Sequence, residues 1–238
     1  MLKSSPPTSS IALAKHDIYH TTQSVTLRRR KKTRVVFGCS AKYGGVSLND
    51  ELLQGPDLTN SLLGVLLRFH QEHVGIAADI KSMFHMVRVP EEDADLLRFL
   101  WWPEGDISQD PHDYRMRVHL FGATSSPACA NFALKKTAED NWTEYGSEVK
   151  DTIERNFYVD DCLRSVQDAN TAVKLSEQLR SACHKGGFHL TKFVSNDNSV
   201  MAHIPEEDRE VEVPIRSSLA TNKSCGKARF GHHVERLI

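Results

Sequence analysis

The sequence lacks long apolar runs, closely spaced cysteine pairs and a large net charge. No stretch of apolar residues approaches the length of a membrane-spanning helix, so we expect no membrane association. The 5 cysteines form neither a C-x-x-C pair nor a zinc-binding spacing, and the N-terminus does not resemble a secretory signal. These absences favour a reduced, intracellular protein, either cytoplasmic or nuclear.

The balance of acidic and basic residues excludes a protein that binds nucleic acid through a high overall positive charge. The 238 residues carry 30 basic and 31 acidic side chains, which gives a formal net charge of -1. Any nucleic-acid surface must therefore be local. One basic run, Arg-Arg-Arg-Lys-Lys at 28–32, is either a solvated segment or a nuclear-localisation or phosphate-binding segment.

Helical and strand patterns alternate along the chain without a regular βαβ repeat. Ser126 followed by Pro127 predicts a cap and a first helical residue. Asp57 or Thr59 is the expected cap of an earlier helix. The predicted helices cover 57–70, a short segment from 90, 126–140 and 169–185, and the predicted strands cover 34–37, 74–79, 99–102, 114–120 and 188–194. This order predicts an α+β fold with helices packed on one face of an antiparallel sheet.

Three aspartates stand in or at the end of apolar runs. Asp160 and Asp161 lie within Phe-Tyr-Val-Asp-Asp at 157–161, and Asp79 ends the apolar run 74–79. Two adjacent aspartates alone are typical of a hairpin turn. Three carboxylates that converge from two strands instead provide the hard oxygen ligands of a two-Mg²⁺ site for phosphoryl transfer.

Several further motifs occur in the order and spacing of a known family. They are Arg-Val-Val-Phe at 34–37, Gly-Val-Ser-Leu-Asn-Asp at 45–50, Leu-Gln-Gly-Pro-Asp-Leu at 53–58, Phe-Gly-Ala-Thr-Ser-Ser-Pro at 121–127 and Gly-Phe-His-Leu-Thr-Lys at 187–192. With the Tyr-Val-Asp-Asp motif, they resemble reverse transcriptase, and more narrowly the polymerase of BEL/Pao-type LTR retrotransposons. The resemblance implies a fingers-and-palm polymerase core over 34–210, whose palm is a ferredoxin-like antiparallel sheet backed by helices.

The resemblance also implies a metal site. Asp79 and Asp160 would be the main ligands of two Mg²⁺ ions, with Asp161 more peripheral and the backbone carbonyl of Ile80 as a further ligand. Mn²⁺ is a possible substitute. Lys192 matches a late-palm lysine that protonates the leaving pyrophosphate, although a lone lysine on a strand is usually just solvated.

The remaining implied site residues would bind the incoming nucleotide. Phe84 matches an aromatic steric gate that excludes a 2′-hydroxyl, although a lone Phe is by default a core residue. Arg34 matches a residue that clamps the triphosphate. The other nucleotide-binding positions by resemblance are Phe121, Gly122, Ser126, Pro127 and Tyr158. Arg98, Arg115, Arg117, Trp101 and Trp102 either line a template–primer channel or are ordinary surface and core residues.

The implied partners are an RNA or DNA template with its primer, and dNTPs. Three features depart from the family: Gly38 stands where Asp is usual, residues 1–33 do not resemble the expected start of the fingers, and no thumb pattern is visible after about residue 210. No RNase H or integrase pattern is visible either. We expect 1–33 to be a poorly ordered segment and 211–238 a tail. Three hypotheses remain open. The chain is an RNA-directed DNA polymerase core, an inactive retroelement remnant that at most binds nucleic acid, or a metal-dependent phosphatase or nuclease. The last of these does not explain Phe84, the Ser126-Pro127 motif and Lys192 together.

Overall fold

The computed structural model describes residues 37–210, which form two compact units. We call 37–57 with 84–130 the hairpin unit, and 58–83 with 131–210 the sheet unit. Arg34, the basic run, most of the strand predicted at 34–37, and the segments 1–33 and 211–238 lie outside the described residues. Within 37–210, no helix has both the length and the apolar character needed to cross a membrane.

The sheet unit is built on four strands, and their antiparallel arrangement confirms the sequence prediction. Strand β1 (Val74–Ile80) lies between β5 (Asp161–Val166) and β6 (Leu190–Ser195), and β4 (Phe157–Tyr158) pairs with β5 at the edge. Six of the seven residues of β1 are buried, because its apolar run is covered on both faces. The end of this run carries Asp79 into the sheet.

Helices cover both faces of this sheet, so the sequence prediction of helices on one face is wrong. In chain order α1 is Leu48–Glu51, α2 is Leu62–Phe69, α3 is Ser126–Tyr145, α4 is Ser147–Arg155, α5 is Ala169–Lys185 and α6 is Asn198–His203. Val65 and Phe69 of α2 pack in one core cluster with Ala77 and Leu163 of the sheet. The neighbouring Cys162 points to the opposite face, since side chains alternate along a strand, and there it lies close to Cys183 of α5.

Two predicted helices have different bounds in the structure. Helix α2 begins after Ser61, whose hydroxyl accepts a hydrogen bond from the Gly64 backbone N–H, so the caps predicted at Asp57 and Thr59 are wrong. Helix α3 continues past residue 140 to Tyr145. Gly146, with φ 88°, separates it from α4, which the sequence analysis did not predict.

The hairpin unit contains a two-stranded sheet and a small core. Strand β2 (Arg98–Trp101) pairs with β3 (His112–Arg115) in antiparallel register. The strand predicted at 114–120 is therefore misplaced toward the C-terminus. The core of the unit comprises Cys39, Leu48, Leu97, Leu120 and Ala123.

Three arginines of this unit have carboxylate partners inside it. Arg98 donates to Asp95 at 2.8 Å and to Asp113 at 2.7 Å, and Arg115 donates to Asp95 at 3.1 Å. Arg117 lies 3.7 Å from Glu91. Each of the three arginines therefore has an acidic partner within the unit.

Candidate active site

The three predicted aspartates lie at one end of the central strands. Asp79 on β1 is the register partner of Asp161 on β5. The backbone N–H of Ile80 donates to the carbonyl of Asp160 at 2.8 Å, which fixes the turn against the end of β1. The Ile80 side chain itself is fully buried. The antiparallel ladder thus places Asp79 beside the Asp160–Asp161 turn, although about 80 residues separate them in sequence.

A strained turn presents Asp160. Tyr158 pairs with Asp161, so Val159 and Asp160 form a two-residue hairpin loop, and Val159 has φ 54°. This left-handed conformation is suited to glycine, and a β-branched residue there costs about 1–2 kcal/mol. Tyr158 packs against the core cluster under α2, which anchors the strand that enters the turn.

The electrostatics of the site disfavour its full negative charge. Burial raises the pKa of the Asp160 carboxyl above its usual range, and the charges of Asp161 and Asp79 raise it further. A hydrogen bond to its own backbone and the charge of Lys192 act in the opposite direction. Carboxylates held together in this way favour a bound cation, because it lowers the cost of keeping them ionised.

Lys192 supplies one positive charge to this cluster. Its Nζ lies 2.5 Å from Oδ2 of Asp79, with the Lys192 side chain 42% exposed and the Asp79 side chain 14% exposed. The sequence analysis predicted Lys192 as the residue that protonates the leaving pyrophosphate. The structure brings it into direct contact with Asp79.

The donor set suits Mg²⁺ in its chemistry. Asp79, Asp160 and Asp161 offer only carboxylate oxygens, the ligands that hard divalent cations prefer. Among residues 37–210, no three acidic, His or Cys side chains are already gathered around one point as a complete metal-binding group.

The predicted nucleotide-binding aromatics contact each other in the hairpin unit. The rings of Phe84 and Phe121 meet edge to face, with centroids 4.8 Å apart and planes at 60°. Phe84 is buried, whereas Phe121 is 57% exposed. Phe121 holds the Phe84 ring in place and leaves its own ring open to solvent.

The loop after Phe121 requires glycine and is held by a side chain that sequence reasoning missed. Gly122 has φ 105°, and a Cβ there would lie 2.8 Å from the carbonyl oxygen of Phe37. The Asn49 amide donates to the Gly122 carbonyl at 3.0 Å and accepts from the Thr124 N–H at 2.9 Å. Asn49 lies in a motif that carried the family resemblance, and this was its one signal in the sequence.

Ser126 has a different role from the predicted cap. It is the first residue of α3 and is buried, and its hydroxyl lies 3.4 Å from Nδ1 of His119. Burial lowers the pKa of His119. Pro127 follows as the second helical residue, so this contact, together with the helix start, fixes the loop that carries Phe121.

The structure therefore divides the predicted site residues between the two units. The sheet unit brings Asp79, Ile80, Tyr158, Asp160, Asp161 and Lys192 together at one end of the sheet. The hairpin unit contains Phe84, Phe121, Gly122, Ser126 and Pro127.

Comparison with known proteins identifies a similar fold. No family model matches the chain, and no curated protein matches it in sequence. In structure the chain is similar to a foamy viral protease–reverse transcriptase that was solved in complex with double-stranded DNA, with a TM-score of 0.51 and 15% sequence identity. The match covers 77% of this chain and 30% of that chain, so this chain spans less than a third of the viral protein. The likeness shows that the described residues have a reverse-transcriptase-like fold of mixed helices and antiparallel sheet.

Proposed function

We propose that this chain is the fingers-and-palm core of an RNA-directed DNA polymerase of the BEL/Pao retrotransposon type. The sheet unit is the palm, with the ferredoxin-like sheet, and the hairpin unit belongs to the fingers. The observation that carries the proposal is the convergence of Asp79, Asp160 and Asp161 at one end of the sheet. It occurs in a fold similar to that of a viral reverse transcriptase.

The three aspartates would hold the catalytic metal ions. Asp79 and Asp160 are the proposed main ligands, Asp161 is more peripheral, and the carbonyl of Ile80 is a further ligand. When bound, two Mg²⁺ ions, or Mn²⁺ in their place, lower the pKa of the primer 3′-hydroxyl and neutralise charge on the triphosphate. The strained turn at Val159 supports this role, because it fixes the backbone of Asp160 before substrate arrives.

The other site residues would select and orient the nucleotide. On this proposal the Phe84 ring lies under the sugar and excludes ribonucleotides, while Phe121 and Gly122 contact the templating base pair. Arg34 clamps the triphosphate, and Lys192 gives a proton to the leaving pyrophosphate. Ser126 and Pro127 start the helix that supports this pocket, and Tyr158 flanks the metal ligands.

The proposed substrates are dNTPs and an RNA or DNA template with an annealed primer. The viral neighbour was solved with double-stranded DNA, which supports nucleic-acid binding here. On this proposal, the thumb, RNase H and integrase that accompany such a core would belong to the same polyprotein. The alternative is a folded remnant that binds template–primer without turnover.

Primer extension on an RNA template with dNTPs and Mg²⁺ or Mn²⁺ tests the proposal. The wild-type chain is compared with Asp160→Asn and with the exposed control Asp140→Asn. We expect extension by the wild type and the control, and its loss in Asp160→Asn. A folded wild-type chain that binds template–primer without extending it would support the remnant instead.

A further inference from the structure

Lys192 contacts Asp79 because β6 contains an irregularity opposite β1. Asp79 pairs with Thr191, and Ala77 pairs with Val194. One residue, Ala78, therefore stands opposite two residues of β6, 192 and 193, which defines a β-bulge.

The bulge residue has a conformation that lysine seldom adopts. Lys192 has φ 54°, the left-handed region that favours glycine at a bulge. A lysine in this position is disfavoured by its backbone, and the surrounding strand pairing imposes the conformation. Bulges near functional sites commonly re-aim a side chain. Here the re-aimed side chain ends 2.5 Å from the Asp79 carboxylate.

We infer that Lys192 is a built-in counter-ion of Asp79 that occupies the carboxylate until a divalent cation displaces it. The inference rests on the proposed function, because it assumes that Asp79 is a metal ligand. It adds a regulatory step, in which cation binding and release of the lysine are coupled.

The inferred exchange follows from the number of charges at the site. Asp79 is the register partner of Asp161 and lies beside the Asp160 turn, and the ammonium group of Lys192 contacts Oδ2 of Asp79. While the ammonium group contacts this Asp79 oxygen, a metal ion cannot bind the same position. The positive charges of the ammonium group and of an approaching metal ion also repel each other. The metal ion must therefore compete with Lys192 for Asp79. The displaced ammonium is then free to approach the triphosphate, its proposed partner in catalysis.

Mn²⁺ binding to the intact chain, measured by electron paramagnetic resonance, tests the inference without any need for turnover. Lys192→Met removes the charge and keeps a side chain of similar length, whereas Lys192→Arg keeps the charge. The matched control is Lys185→Met, which removes a lysine from the ion pair with Glu144 elsewhere in the sheet unit. Asp79→Asn identifies the binding that depends on this carboxylate.

The inference predicts that Lys192→Met binds Mn²⁺ about two- to fivefold more tightly than wild type, as expected for loss of a half-exposed ion pair. Lys192→Arg and the Lys185 control should stay near the wild-type affinity. The melting temperature should also rise more on Mn²⁺ addition in Lys192→Met than in wild type. Lys192→Gly, which suits the positive φ, repeats the test if the Met variant folds poorly.

Two outcomes overturn the inference, and they are distinguishable. If Asp79→Asn abolishes Mn²⁺ binding but Lys192→Met binds no more tightly than wild type, the counter-ion role is wrong and the proposed polymerase site stands. If no variant shows binding that depends on Asp79, both the counter-ion role and the proposed metal site are wrong.

Discussion

Replacing Asp160 with Asn should stabilise the protein while it removes the proposed activity. Asp160 is partly buried beside Asp161 and Asp79, and burial and these charges disfavour its ionised form. Asn has nearly the same shape without the charge. In the absence of metal, the variant therefore loses two repulsive contacts without leaving a cavity.

The magnitude follows from the charges close to Asp160, which lies in the turn between β4 and β5. Asp161 is its neighbour in sequence and Asp79 lies on the adjacent strand β1, and a charge–charge contact near the surface is worth about 0.2–1 kcal/mol. Asp160 has two such contacts, so we expect Asp160→Asn to raise the free energy of unfolding by about 1 kcal/mol. For a chain of this size, that corresponds to an increase of about 2–4 °C in melting temperature.

The assay is thermal and urea unfolding, followed by far-UV circular dichroism in the presence of EDTA. Asp140→Asn is the control, because Asp140 is exposed on α3 and pairs with Lys136 at 2.9 Å. Its loss should change the free energy of unfolding by less than about 0.5 kcal/mol. A lower stability of Asp160→Asn than of wild type without metal would refute the reasoning, since it would make the Asp160 charge structurally favourable.

Three further predictions concern other positions. Val159→Gly should raise the free energy of unfolding by up to about 1 kcal/mol, because relief of the φ strain exceeds the added chain entropy; a decrease in urea denaturation would contradict the strain. Burial lowers the pKa of His119, so the folded state favours the neutral imidazole. The resulting stabilisation of the folded state is present above the unfolded His pKa of about 6.5 and is lost as the pH falls. Wild type should therefore lose more stability on acidification than His119→Gln, and parallel pH profiles would argue against this. Phe84→Val should raise ribonucleotide incorporation relative to deoxynucleotides, and an unchanged ratio would remove Phe84 from the steric-gate role.

Local sequence signals predicted the elements whose ends carry strong caps. Helix α5 has the predicted bounds, because Asp168 caps its first turn and Gly186 ends it. For α2, several candidate caps lie close together before the helix, and packing of Val65 and Phe69 on the sheet selects Ser61. Packing of this kind is a tertiary effect that local patterns do not contain.

The features that the sequence could not predict depend on contacts between residues far apart in the chain. The register of β3 depends on pairing with β2 and on ion pairs such as Arg98 with Asp113, which lie 15 residues apart. The motifs identified the aspartates, but the bulge that aims Lys192 at Asp79 results from pairing between β1 and β6. The bridge from Asn49 to the loop at Gly122 spans 73 residues and was missed for the same reason.

Single-nucleotide addition to a primer on an RNA template tests the central claim most directly. The three variants Asp79→Asn, Asp160→Asn and Asp161→Asn are compared with wild type across a Mg²⁺ titration. We expect metal-dependent addition by wild type, its loss in the Asp79 and Asp160 variants and a smaller loss in the Asp161 variant. Wild-type rates in Asp79→Asn or Asp160→Asn would contradict the account, because the chemistry would then not depend on the carboxylates at the end of this sheet.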